Sequence, residues 1–136
     1  MKNEKNISEN FINLIKIIKK LRDKKEGCLW CNSQTSKTIA KYSLEEANEV
    51  IEAINEGNEN KICDELGDLL FQVIFHGQIK SDEKKFDIND IIKSINRKMI
   101  RRNPHVFNNT KKKKYTLKEI EENWVNIKNK EKKLEI

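Results

Sequence analysis

The chain has 136 residues, 36% hydrophobic and 37% charged, and its periodic stretches are too apolar for a disordered chain and fit one domain with its own core. Its net charge is +6, yet only four of the 28 basic residues are arginine and the lysines accompany abundant Ile and Asn, so basicity by itself does not select a nucleic-acid partner. There is no run of 18 apolar residues, and the opening MKNEKNISEN lacks the apolar core of a signal peptide, so the expectation is a soluble cytoplasmic protein without a membrane partner.

In chain order, residues 8–25 are predicted as the first helix. Ser8 is its N-cap, Phe11, Leu14, Ile15, Ile18 and Leu21 form one apolar stripe, Lys16, Lys19, Lys20 and Arg22 face out, and Gly27 stops it. Residues 28–36 read as a polar loop around Trp30, which either anchors the loop or covers a pocket. Cys28 and Cys31 make a CxxC, but no second CxxC or CxxH follows and the total of three cysteines is odd, so ordinary reduced thiols are expected.

A second helix is predicted from Thr35 or Ser36 to Glu56, with Ala40, Leu44, Ala47, Ile51 and Ile54 in period. Ser43-x-x-Glu46 also matches a capping box, but the apolar period already exists at Ile39 and Ala40, which argues against a start at Ser43. Gly57 and Asn58 end this helix, and a third follows from Lys61 to Lys80. Its apolar surface, Ile62, Leu66, Leu69, Leu70, Val73, Ile74 and Gly77, is wider than one seam and predicts a central helix or contact with a second copy. The short connection predicts an antiparallel hairpin. A fourth helix runs from the Asp87-x-x-Asp90 cap to Arg102, with Ile88, Ile91, Ile92, Ile95 and Met99 expected to be buried. Asn103-Pro104 ends it, and residues 103–115 read as a loop whose Lys111–Lys114 run is solvated. Thr116-x-x-Glu119 opens a last helix with Leu117, Ile120, Trp124 and Ile127 on one side. The fold class is all-α, an antiparallel bundle of about five helices. With four glycines and no glycine-rich loop, P-loop and Rossmann routes to nucleotides are closed.

Four acids stand out against this frame. Glu46 with Glu49, and Glu65 with Asp68, are each spaced i,i+3, on one helix face and interleaved with apolar residues. Acids beside a core are costly unless neutralised. The hairpin would bring the two pairs together, and four carboxylates without histidine or cysteine form a hard-oxygen site suited to Mg²⁺ or Mn²⁺. The other reading is acids paired with lysines in solvent, which fits Glu52, Glu56 and Glu59. Lys98, Arg101 and Arg102 share a face at the end of the fourth helix and could grip a polyphosphate, or serve only the helix dipole.

The chain resembles the MazG family of all-α nucleoside triphosphate pyrophosphohydrolases over residues 28–132, with residues 1–27 as an N-terminal helix in a single 1–136 domain. The EExxE…ExxD pattern is matched by Glu45-Glu46-Ala47-Asn48-Glu49 and Glu65-Leu66-Gly67-Asp68, the KxxRRxPHVF-like stretch by Lys98 to Phe107, and WxxIKxxEK by Trp124, Ile127, Lys128, Glu131 and Lys132. The resemblance implies a MazG-like bundle completed by dimerisation or higher assembly, and Mg²⁺ bound by Glu46, Glu49, Glu65 and Asp68. It also implies nucleotide contacts from Lys98, Arg101, Arg102 and Trp124, and cleavage of NTPs or dNTPs to a monophosphate and pyrophosphate. The chain departs from the family pattern at Leu29, Cys31, Ser36, Asn48 and Asn103, none of them a proposed metal ligand.

On this reading the acids and their metal position a water at the α-phosphorus, Glu49 or Glu45 is the general base, and the cations stabilise developing phosphate charge. Trp124 either stacks on the base or is a core side chain. Two rivals remain: a basic helical nucleic-acid-binding module using Arg97–Arg102, Lys111–Lys114 and the Lys-rich tail, and a structural relative with weakened catalysis.

Overall fold

The computed structural model describes residues 2–134 and contains seven helices and no strand among them. They are α1 (Lys2–Leu21), α2 (Leu29–Ser33), α3 (Ser36–Glu56), α4 (Glu59–Asp82), α5 (Ile88–Arg102), α6 (Pro104–Phe107) and α7 (Leu117–Leu134). The all-α expectation holds, with two one-turn helices added to the five. Contacts divide the chain after Ile88 into two compact units. Among the described residues, no helix is long and apolar enough to cross a membrane.

In the first unit α4 is the central element, with α3 packed along it and α1 also against it. Its core is Ile18, Cys31, Ile39, Ile74, Phe75 and Ile79, flanked by Phe11, Leu14, Ile15, Leu21, Cys28, Tyr42, Phe71 and Ile88. The stripe on α1 thus faces the core as predicted. The helix starts earlier than Ser8 and ends at Leu21 rather than residue 25. That early end changes Arg22, which was expected to face out. Its side chain is only 10% exposed, pairs with Asp82 at 2.8 Å and donates to the carbonyls of Cys31 and Gln34 at 2.7 and 3.1 Å. The guanidinium also lies over the Phe75 ring. Gly27 closes the turn where a Cβ would meet backbone carbonyls of Asp23, Leu21 and Lys20.

The predicted 28–36 loop contains α2 because Cys28 caps it: its sulfur accepts from the Cys31 amide at 3.5 Å. The CxxC thus has a local structural role, and all three cysteines are free thiols. α3 starts where the apolar period indicated, with Thr35 and Thr38 forming a reciprocal cap. Ser43 lies inside it. The phase of its buried face differs from expectation: Ile39, Val50 and Ala53 are buried, whereas Leu44, Ile51 and Ile54 are exposed. Gly57, at φ 73°, ends α3 in the left-handed region, and Asn58 caps α4 through the Lys61 amide at 3.2 Å. The hairpin is antiparallel, since Ser43 meets His76 at 3.0 Å while Glu56 meets Lys61 at 2.9 Å.

α5, whose first residue Ile88 closes the first unit and whose remainder lies in the second, buries none of its residues, contrary to the expectation for Ile88, Ile91, Ile92, Ile95 and Met99. Ile88, Ile91, Ile92 and Met99 are half-buried and Ile95 is exposed; so short a piece has too little partner surface to bury a full face. The predicted 103–115 loop holds one helical turn, opened by Pro104 at N1. α7 carries the expected box, with Thr116 Oγ1 accepting from the Glu119 amide at 3.2 Å and Glu119 accepting from the Thr116 amide at 3.3 Å.

Candidate active site

The α3–α4 hairpin brings the two acid pairs together. One carboxylate oxygen from each of Glu46, Glu49, Glu65 and Asp68 lies within 4.8 Å of every other. Glu46 and Glu65 are half-buried, Glu49 and Asp68 exposed. Four like charges at this range repel strongly. Glu46 is pushed up in pKa, first by burial, then by a hydrogen bond with Glu49 and the charges of Glu49, Asp68 and Glu45. Glu65 is pushed up to about 7, first by a hydrogen bond with Glu49, then by burial and the charges of Glu49 and Asp68.

Glu46 Oε2 and Glu65 Oε2 are buried without a hydrogen-bond partner. Such oxygens are costly to leave unsatisfied. A divalent cation would satisfy both and remove the repulsion, so the residues present fit a hard metal. Glu45, the other candidate base, is exposed on α3 beside Glu46. Glu49 and Glu65 also line a cleft of about 250 Å³ with Glu52, Ala53, Glu56 and Lys61. Lys61, which the sequence reading did not single out, pairs there with Glu56, and Glu56, Glu65 and Glu52 all raise its pKa. Its signal was available in the i,i+4 spacing from Lys61 to Glu65.

The second unit gathers most of the predicted cationic group. Arg101 and Arg102 converge on Glu131, at 2.6 and 3.0 Å. The Arg102 guanidinium lies 5.4 Å from the centre of the Trp124 ring, which is half-buried. Hydrogen bonds from Arg102 and Arg101 hold Glu131 down at about 2. Lys98 is half-buried on the same helix. The Lys111–Lys114 run is not wholly free in solvent: Lys113 pairs with Glu119 at 2.8 Å and lies over Tyr115.

Residues 34–107, more than half the chain, match the family profile of the MazG nucleotide pyrophosphohydrolase domain. The chain belongs to the MazG family. It is 47% identical over 97 residues to the nucleoside triphosphate pyrophosphohydrolase/pyrophosphatase MazG of Thermotoga maritima, covering 71% of this chain and 38% of that protein. It is 49% identical over 94 residues to the nucleoside triphosphate pyrophosphohydrolase of Escherichia coli (strain K12), covering 69% and 36%. The chain thus spans well under half the length of these relatives. The crystal structure of a MazG-related protein from Thermotoga maritima superimposes with a TM-score of 0.69 at 24% identity, over 86% of this chain and 97% of that one, and shares the MazG-like all-α fold. The matched segment contains all four clustered acids and the Lys98–Phe107 stretch, and ends before Trp124.

Proposed function

We propose that this chain is a metal-dependent nucleoside triphosphate pyrophosphohydrolase. It would cleave NTPs or dNTPs between the α- and β-phosphates, releasing a nucleoside monophosphate and pyrophosphate, in the service of cytoplasmic nucleotide-pool cleansing. The observation that carries this reading is the convergence of Glu46, Glu49, Glu65 and Asp68, with two buried carboxylate oxygens lacking any partner, in a member of the MazG family.

Glu46, Glu49, Glu65 and Asp68 would hold Mg²⁺, with Mn²⁺ as a substitute, and the all-oxygen donor set favours these over softer metals. When bound, the ion supplies charge neutralisation on the phosphate oxygens and a lowered pKa for water. Glu49 or the exposed Glu45 accepts the proton of the water that attacks the α-phosphorus. A bond forms from that oxygen to phosphorus, and the α–β bridging bond breaks. Pyrophosphate leaves with the bridging oxygen, and the proton passes from the carboxylate to solvent. Lys98, Arg101 and Arg102 would stabilise charge on the phosphates. Glu131 keeps the two guanidiniums together, and Trp124 contacts the nucleotide and supports Arg102 from its ring face. The protein acts as a homodimer or higher homo-oligomer, a reading supported by the exposed apolar faces of α3 and α4.

The test is incubation of the purified chain with each NTP and dNTP plus Mg²⁺, with products separated by ion-exchange chromatography. Monophosphate and pyrophosphate in equal amounts are expected. Their absence at high protein concentration would exclude the activity.

A further inference from the structure

The CxxC stands apart from the acid cluster, and the proposed reaction does not use it. Cys31 is one of the positions where the chain departs from the family pattern. Cys28 immediately precedes α2 and is half-buried, whereas Cys31 lies in its first turn at 7% exposure. Residues three apart on a helical turn are neighbours. The Cys28 sulfur accepts from the Cys31 amide at 3.5 Å, and the two thiols also hydrogen-bond to one another. Both are free thiols in this structure.

The backbone pins them in this relation. The Cys28 amide donates to the Leu21 carbonyl at 2.8 Å. The Cys28 carbonyl accepts from the Asn32 amide at 3.0 Å and from the Asn32 side chain at 3.1 Å. The Cys31 carbonyl accepts from Arg22 at 2.7 Å. Two sulfurs held together by a fixed turn need little more than side-chain rotation to reach bonding geometry, so little entropy is lost when they join.

The pair is also asymmetric in the way that thiol–disulfide exchange needs. The Cys31 amide, and then the Cys31 thiol, hydrogen-bond to Cys28 and lower its pKa. Burial, then the hydrogen bond and charge of Cys28, push the Cys31 thiol up to about 11. Cys28 is thus the thiolate that reacts, next to the exposed Leu29, and Cys31 is the shielded thiol that resolves. A metal is the other use of a CxxC, and it needs further ligands. Among the described residues, the acid quartet is the one group that could hold a metal, so no third donor from His, Cys, Asp or Glu joins these sulfurs.

We propose that Cys28 and Cys31 form a reversible dithiol–disulfide site that exchanges with low-molecular-weight disulfides. The Cys28 thiolate attacks one sulfur of the oxidant, whose S–S bond breaks, and a thiolate leaves with the electron pair. Cys31 then gives its proton to solvent and attacks Cys28 Sγ in the mixed disulfide, displacing the oxidant's second thiolate. The protein loses two electrons and two protons, and the oxidant becomes two thiols. The site is independent of the pyrophosphohydrolase reading, and its test uses no nucleotide.

The experiment equilibrates the chain with mixtures of reduced and oxidised glutathione, quenches with excess N-ethylmaleimide, and reads labels by intact mass and peptide mapping. Cys28 and Cys31 should lose their labels together, at a lower oxidised fraction than Cys63, leaving one labelled thiol of three and a mass two hydrogens below that of the unlabelled pair. Dithiothreitol should restore all three labels. Cys31→Ala should stop at one glutathione on Cys28. Cys28→Ser, in which serine keeps the cap and the core is untouched, should leave Cys31 labelled throughout. Loss of the Cys63 label first, separate glutathione adducts on Cys28 and Cys31, or three retained labels in excess oxidised glutathione would each overturn the proposal.

Discussion

Glu65 keeps its proton up to about pH 7 in the folded chain because Glu49 hydrogen-bonds to it, whereas its ordinary value is 4.5. Between those values the folded chain binds more protons than the unfolded one. Its contribution to stability is therefore full below pH 4.5 and is lost as pH rises through 7. Thermal unfolding followed by circular dichroism in EDTA should show Tm falling across this window, more steeply for wild type than for Glu65→Gln. Mg²⁺ should restore Tm above pH 7, and an identical pH slope in the variant would show that the cluster does not govern it. The same four acids govern turnover in the proposed reaction. Glu49→Gln or Asp68→Asn should lower kcat at least about a hundred-fold, as expected when a metal ligand is lost, with the helical spectrum unchanged; full activity in both would show that neither acid is a ligand. These residues were legible in the sequence because i,i+3 spacing and a short hairpin connection already converge them. Arg22 was not. It stands one residue past the end of α1, so the helical period no longer says where it points, and only the folded return of α2 and α4 supplies its partners.

At the scale of elements, what could be read was whatever local chemistry decides. The Thr116 box and the Gly57 stop lie in short windows of sequence and read directly, whereas the Thr35 cap is closed by Thr38 and not by the Glu of the usual box, and Asn58 reads as the end of α3 as readily as the cap of α4. The one-turn helices α2 and α6 escaped because each is too short to show a period. The phase of α3 misled for another reason: it carries two apolar stripes, and periodicity alone does not say which one faces α4. Two glycines frame the hairpin's surroundings and separate two kinds of cost. At Gly57 an added Cβ meets nothing within 4 Å, so Gly57→Ala suffers only from the positive φ, about 1 kcal/mol. At Gly27 the Cβ would lie 2.6 Å from the Leu21 carbonyl and 2.7 Å from that of Lys20. Backbone must move there, which places Gly27→Ala toward the upper end of the roughly 1–3 kcal/mol range for overpacking. Urea unfolding of the two variants should rank them in that order, and the reverse order would mean that the α1–α2 turn yields easily.

The whole molecule leaves an apolar surface that its own helices do not cover. On α3, Leu44, Ile51 and Ile54 are 65%, 54% and 55% exposed, and on α4, Leu66, Leu70 and Val73 are 47%, 42% and 41% exposed. Each trio repeats at helical spacing, and both belong to the hairpin that carries the acid cluster. Single exposed apolar residues are ordinary, but two stripes on one hairpin mark a contact surface. The wide apolar girth of α4 already suggested either a central helix or contact with a second copy in the sequence, and the outward phase of the α3 stripe favours the second copy. Sedimentation equilibrium of the wild-type chain at micromolar concentration should therefore give a dimer or a larger even assembly. Ile51→Glu combined with Leu70→Glu would place charge in the contact and should give a monomer with its helical spectrum retained, because neither side chain is part of the buried core. If assembly is a condition for turnover, the same variant loses NTP hydrolysis along with mass. A wild-type chain that sediments as a monomer at 100 µM would leave the stripes to some other partner and remove the dimer from the proposal.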